Sequence, residues 1–346
     1  MFSKFFFILP VLFLTCISSA LELKKKISGN IAPKSIVHSG TGLFFAQNMM
    51  YRHSITVYNR EYSLVATIAD KVKSDKLDPL KHSGEYRGSP VEAAFSHNGK
   101  YAWVSNYQMF GAGFTNPGND SCESGKFDIS YVYRISMETL NIEKGVAVGS
   151  VPKYVASSPD SRWVLVSNWC SDDLSVIDTE RDLEVKRIRL GRYPRGVVVD
   201  SASTLAYVAV MGSYDIAVVN LHSFSVSWIS GVGRSPRHLA LDPGGQYLYA
   251  SLNAENAIAK IDLVTGKVVK KVKTGDAPRS VVLSKNGEFA YVVNYESNTL
   301  SKIDCKEMKV LETVATDHHP IGVTYDPQER QVWVSCYSGT ILVFQD

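Results

Sequence analysis

The sequence predicts an all-β ring of seven four-stranded antiparallel blades, a β-propeller closed by its own N-terminal strand, and three observations predict it. Prolines recur at even spacing, at Pro152, Pro194, Pro236, Pro278 and Pro320, a period of roughly 42 residues that falls in the range of propeller blades. Each proline opens a unit of short runs with strand character. At 278 to 304, "PRSVVLS", "KNGEFAYVVN" and "YESNTLSKID" give two β-branched runs about a Gly-containing turn and then a third, alternating run. "VVKKVKTG" at 268 to 275 supplies the fourth run of the preceding unit, and four short strands at this period describe a propeller blade. The third observation is at the ends. Pro320 is followed only by 321–346, room for three strands, while "LKKKISGNIAP" at 23 to 33 resembles "VVKKVKTGDAP" at 268 to 278. An N-terminal strand that completes the last blade leaves no free sheet edge to aggregate.

The chain has 346 residues, 21% charged, 45% hydrophobic and 11% aromatic, a globular profile. With 37 basic against 34 acidic residues the net charge is +3, which gives no reason to expect nucleic acid as partner. Lys4 precedes an apolar run from Phe5 to Ile17, followed by Ser18, Ser19 and Ala20. That reads as a secretory signal peptide over 1–20, with Leu21 as the mature N-terminus. The run holds Pro10 and falls short of the roughly 20 residues that span a bilayer, and no later segment looks membrane-spanning. Cys16 is a poorer candidate for lipid anchoring, because Thr15 is bulkier than the residue usual before a lipidated cysteine. The expected location is the periplasm or the outer cell surface.

The propeller is assigned to 21–346. Pro33 and Pro90 begin the first two blades once insertions are allowed, since the intervals from Pro33 to Pro90 and from Pro90 to Pro152 each exceed the period by the length of a loop. Seven prolines make seven blades. "YVVN" at 291 to 294, with Pro278 upstream and "LSKID" downstream, resembles the YVTN-type repeat of bacterial and archaeal β-propellers, and the likeness covers nearly all of 21 to 346. The repeat asparagine recurs as Asn48, Asn106 and Asn168, and departs to Val210, Leu252 and Cys336. The resemblance implies the fold; the activities it brings with it range from surface antigens and binding modules to, more distantly, lactonases and streptogramin lyases. The Gly-His and Trp-Asp pairs of a WD40 blade are missing.

Propeller geometry sorts the loops. Loops between blades and loops between second and third strands share one face, and both long insertions, 71 to 88 and 107 to 130, fall there. On that face the residue after each blade proline faces the channel mouth: Lys34, Val91, Lys153, Arg195, Arg237, Arg279 and Ile321, five of seven basic. Like charges held together call for an anion, a carboxylate or water, so the mouth suits an anionic ligand. Glu92 partly neutralises it. Tyr107, Trp169, Tyr295 and Tyr337 follow second strands around the same mouth, where flat rings suit sugars or aromatic acids. The plainer reading is that Pro-Arg recurs by duplication with each head in water, and that the rings pack between blades.

Of the remaining cysteines, Cys122 in the blade-two insertion and Cys170 in the neighbouring loop are expected to form a disulfide, which would stabilise by roughly 4 kcal/mol and pin the insertion across the mouth. Cys305 and Cys336 lie on opposite faces. No phosphate loop, Cys-x-x-Cys, Gly-x-Ser-x-Gly or zinc helix motif is present, so no cofactor or metal is assigned. Asn116, Asn119, Asp120, Glu123 and Asp128 supply oxygens but match no defined calcium loop. The reading is a non-catalytic exported binding or surface-interaction module for an anionic or carbohydrate ligand or a protein partner. Two alternatives stand beside it. A metal-assisted lactonase or lyase would need His238, His318 or His319 to meet Glu92 or Glu296, and a rim scaffold would bind through the 107 to 130 insertion.

Overall fold

The computed structural model describes residues 20–78, 83–123 and 126–346; the leader assigned to 1–20 and Cys16 lie outside them, Ala20 excepted. Seven antiparallel sheets of four main strands surround a central channel. Blade 3 shows the plan: Pro152–Ser157 lines the channel, Trp163–Asn168 and Asp173–Asp178 follow outward, and Leu183–Arg189 forms the rim. The blade prolines open six of the seven inner strands, where a fixed φ and a missing N–H are harmless. In blade 1 the inner strand starts two residues later, at Ser35.

Burial follows position. Second strands, covered on both faces by neighbouring blades, are nearly continuous apolar runs such as Leu205–Val210 and Phe289–Asn294. Rim strands such as Lys267–Lys273 are exposed and lysine-rich, which protects an outer edge against edge-to-edge pairing. The repeat asparagines Asn48, Asn106, Asn168 and Asn294 are fully buried and fasten second strands to third. Asn294 donates to the Thr299 and Ser301 hydroxyls, and Asn168 to Asp173 and Ser175. The YVVN signature is therefore a hydrogen-bonded staple inside the blade.

Closure takes the predicted form. Glu22–Ser28 pairs antiparallel with Thr340–Gln345 as the outer strand of blade 7. The seam with blade 1 is tight. Phe44 stacks on Trp333 at 3.8 Å, and Arg60 of blade 1 grips Asp326 of blade 7 through two hydrogen bonds of 2.7 and 3.0 Å. Within the 71 to 88 insertion the described residues form more strand than their sequence signals. Val72–Lys73 pairs with Glu85–Tyr86, and Leu77–Asp78 adds a fifth, parallel strand to blade 2, packing against the bare face of Gly145. No helix among the described residues is long and apolar enough to cross a membrane.

Candidate functional site: a cationic channel mouth

One backbone device repeats around the mouth. The residue before the blade proline is left-handed in five blades, from Val151 at φ 55° to His319 at φ 54°. Its carbonyl accepts the N–H of the residue that follows the second strand: Trp169 to Val151 at 3.0 Å, Met211 to Tyr193 at 2.9 Å, Asn253 to Ser235 at 3.1 Å, Tyr295 to Ala277 at 3.2 Å and Tyr337 to His319 at 3.0 Å. This bond holds the position after the second strand beside the proline, and the residue after the proline lines the channel. A non-glycine residue in this conformation costs about 1–2 kcal/mol, so the arrangement is maintained against a local preference.

The outcome is a rosette. Lys34, Lys153, Arg195, Arg237 and Arg279 line one small space of about 20 Å³ together with Ile321. All but Arg279 are buried, with Arg237 only 5% exposed. Each cation lies against the ring or sulfur of a mouth residue. Lys34 sits 5.8 Å from the Tyr337 ring, Lys153 4.3 Å from Tyr107, Arg195 5.5 Å from Trp169 and Arg279 4.0 Å from Tyr295, while Arg237 donates to Met211 Sδ at 3.8 Å. Such contacts supply about 0.5–2 kcal/mol each, far less than desolvating a charge costs. Met211 carries no sequence signal of its own, although it occupies the same place after Leu205–Val210 as the four aromatic residues do in their blades.

Electrostatics show the strain. Burial, then Arg195 and Arg237, holds Lys34 well below the ordinary lysine range. Burial and Arg195 bring Lys153 down to about 7, and burial and Arg279 bring Arg195 to about 10. Arg237 is lowered by burial and by both neighbouring arginines. Of the five rosette cations only Lys153 has an ion-pair partner among the described residues, the carboxylate of Asp120. Burial alone would raise Asp120, but Lys153 outweighs it and holds the acid at about 2.

Asp120 reaches the mouth because the 107 to 130 insertion is fastened there. A disulfide joins Cys122 to Cys170, the Trp169 indole donates to the Asp120 carbonyl at 3.0 Å, and the Tyr193 hydroxyl donates to the Ser121 carbonyl at 3.2 Å. The Tyr107 hydroxyl donates to the Asp120 carboxylate at 3.1 Å. Its loop companions serve the backbone: Asn119 caps the turn at Ser121 and Cys122, and Asp128 accepts from the N–H groups of Thr115 and Asn116. Cys305 and Cys336 are free and buried.

Below the cations lies a polar belt of Glu92, Tyr154, His238 and Ser280, which also caps a channel section of about 380 Å³ with aliphatic walls. Burial raises Glu92 to about 7, and burial with Arg237 lowers His238 to about 3. Tyr154 of blade 3 meets His238 of blade 5 edge-to-face at 5.1 Å, with Gly196 of blade 4 between them in chain order. A Cβ on Gly196 would stand 2.8 Å from His238 Cα and 2.9 Å from the Arg237 carbonyl oxygen, both backbone atoms. Gly196→Ala is therefore expected to destabilise the fold by about 1–3 kcal/mol by pushing the Arg237 strand aside, measured as a lowered denaturation midpoint. The other histidines lie apart from this belt in their contacts: His319 stacks on Tyr295 at 4.1 Å and lies 3.7 Å from Glu296, with His318 against it. No three His, Cys, Asp or Glu side chains gather at metal-holding distance among the described residues.

A closed seven-bladed propeller with a cation-lined mouth is the class of protein these observations define. The model of one family, described as a YNCE-like beta-propeller, matches residues 179–343, from the rim strand of blade 3 through blade 7. The chain is a seven-bladed propeller, and this match, over just under half of its length, is consistent with a propeller of the YNCE/YVTN type. No curated protein matches it. Among solved structures it is similar to Kuenenia stuttgartiensis hydrazine synthase, at 17% identity over 92% of this chain and 97% of that one, with a TM-score of 0.72. It is also similar to the WD40 beta propeller domain of Doa1, at 11% identity over 94% and 97%, with a TM-score of 0.71. At these identities the likeness is one of fold.

Proposed function

We propose that this propeller is a non-catalytic, exported binding module whose mouth takes a small anion carrying at least two acidic groups, such as a polycarboxylate or a phosphate ester, with one oxygen-sized group in the space between the cations and the rest of the anion outside it. One observation carries the reading: four cations, Lys34, Arg195, Arg237 and Arg279, converge on a space where the buried acid Glu92 also lies, and none of the four makes an ion pair among the described residues. Buried unpaired charges are costly enough that a recurring arrangement of them points to a counter-ion supplied from outside. Guanidinium groups suit carboxylate and phosphate because their N–H donors match paired oxygens. Tyr107, Trp169, Tyr295 and Tyr337 then wall the seat and offer their faces to a ring or sugar attached to the acid. Export is supported by the leader-like segment 1–20 and by a disulfide compatible with an oxidising compartment.

The test is calorimetric titration with citrate and with pyrophosphate, on protein purified free of multivalent anions. Single-site binding is expected, and its pH dependence has a definite sign. Lys153 loses its proton above about 7, and Glu92 becomes charged above about 7. Both changes make the mouth less positive, so affinity for sulfate, an anion whose own charge is constant over this range, should fall between pH 6 and pH 9. Losing one charge-assisted contact is worth about 1.5–3 kcal/mol, roughly 10–150-fold in affinity. Absence of binding by both citrate and pyrophosphate at pH 6 and low ionic strength, in wild type and in Asp120→Asn alike, overturns the reading.

A further inference from the structure

Resting on the anion-site reading, we infer that Asp120 is a tethered counter-anion that competes with the ligand for the Lys153 end of the rosette and holds the site's affinity down. Its carboxylate stands where a ligand acid group would: on the Lys153 ammonium and within hydrogen-bond reach of the Tyr107 hydroxyl. No other acid makes an ion pair with a rosette cation among the described residues. The side chain is 74% exposed, so the carboxylate sits on the mouth from the solvent side and can swing away without opening the core.

The backbone behind it is fixed while the side chain is free to leave. The Cys122–Cys170 disulfide, the Trp169 indole and the Tyr193 hydroxyl hold the main chain at 120 to 122, and none of them contacts the carboxylate. A carboxylate delivered by such a short tether is present at high effective concentration, so an incoming acid must displace it or share Lys153 with it. Trp169 serves both sides, with its N–H on the Asp120 carbonyl and its ring beside Arg195, which ties the strap to the cations it screens.

The experiment compares wild type, Asp120→Asn and Asp120→Glu in citrate and pyrophosphate titrations at pH 6. Asp120→Asn keeps size and hydrogen bonding but removes the charge. It is expected to tighten binding by roughly 5–150-fold, the usual range of coupling between competing interactions, while Asp120→Glu stays near wild type. Binding by Asp120→Asn when wild type shows none supports the inference most strongly. Equal or weaker binding by Asp120→Asn, or tightening by Asp120→Glu of the same size, overturns it and leaves the anion site standing. Failure of all three proteins to bind overturns the anion site itself, and this inference with it.

Discussion

Replacing Arg237 by methionine is expected to stabilise the ligand-free protein and to cripple anion binding, two effects of opposite sign from one side chain. Arg237 is buried beside Arg195 and Arg279, and it donates a hydrogen bond to a sulfur, Met211 Sδ. Methionine has nearly the reach of arginine without the charge, so it fills the same space and removes both the desolvation and the repulsion. Exchanging buried charges for packed apolar groups commonly stabilises by about 1–4 kcal/mol, here a rise of a few degrees in melting temperature. The same exchange removes a buried charged contact to the ligand, which is worth about 2–5 kcal/mol, or 30-fold to several thousand-fold in affinity. Thermal melts in chloride buffer and citrate titrations read the two halves separately. A melting temperature that drops in Arg237→Met would show that the ring of cations is not strained, and would remove the main support for a bound anion.

Arg60→Ala should have the largest effect on the fold. Arg60 is the bidentate partner of Asp326, a carboxylate with no exposed surface, and His38 Nε2 lies only 3.9 Å from the same acid. Removing the guanidinium leaves a buried charge at the seam that closes the ring, a loss of about 3–5 kcal/mol in urea denaturation. Removing Asp326 as well should cost less than the two single changes added together, because neither partner is then stranded. Burial alone would raise Asp326, but its bonds with Arg60 outweigh this and hold the folded acid below its ordinary value. Its contribution is therefore in place above about pH 4 and is lost as the pH falls through the lower folded value. A loss below about 1 kcal/mol in Arg60→Ala would place the strength of the closure elsewhere.

Much of this architecture is readable in one dimension. An even period marked by proline identifies the blade, and proline also fixes the register, so the residue after it must face the channel in every unit. The meeting of Lys34, Lys153, Arg195, Arg237 and Arg279 follows from that register. What sequence hides depends on pairings between segments without a period of their own. Leu77–Asp78 is too short to show strand alternation, and it pairs because Gly145 leaves room for Leu77. Asp120 reads as one oxygen donor among several in a polar loop. Its position on Lys153 is set by three anchors from blades 3 and 4, at distances no spacing rule encodes. The Tyr154–His238 contact likewise depends on a glycine in the blade between them, and in sequence that glycine looks like any other.

The pairing of Glu22–Ser28 with Thr340–Gln345 also sets an order of events during folding. The strand that begins the ring has its partner more than 300 residues along the chain, with Glu22 opposite Gln345 and Ser28 opposite Thr340. Six blades can assemble from local hairpins, but the seventh needs both ends of the ring. Contacts so distant along the chain are slow to form, and until they do the Glu22–Ser28 strand and the unfinished sheet both expose unpaired edges. Completion of the last hairpin is thus the step that commits the molecule to its native state.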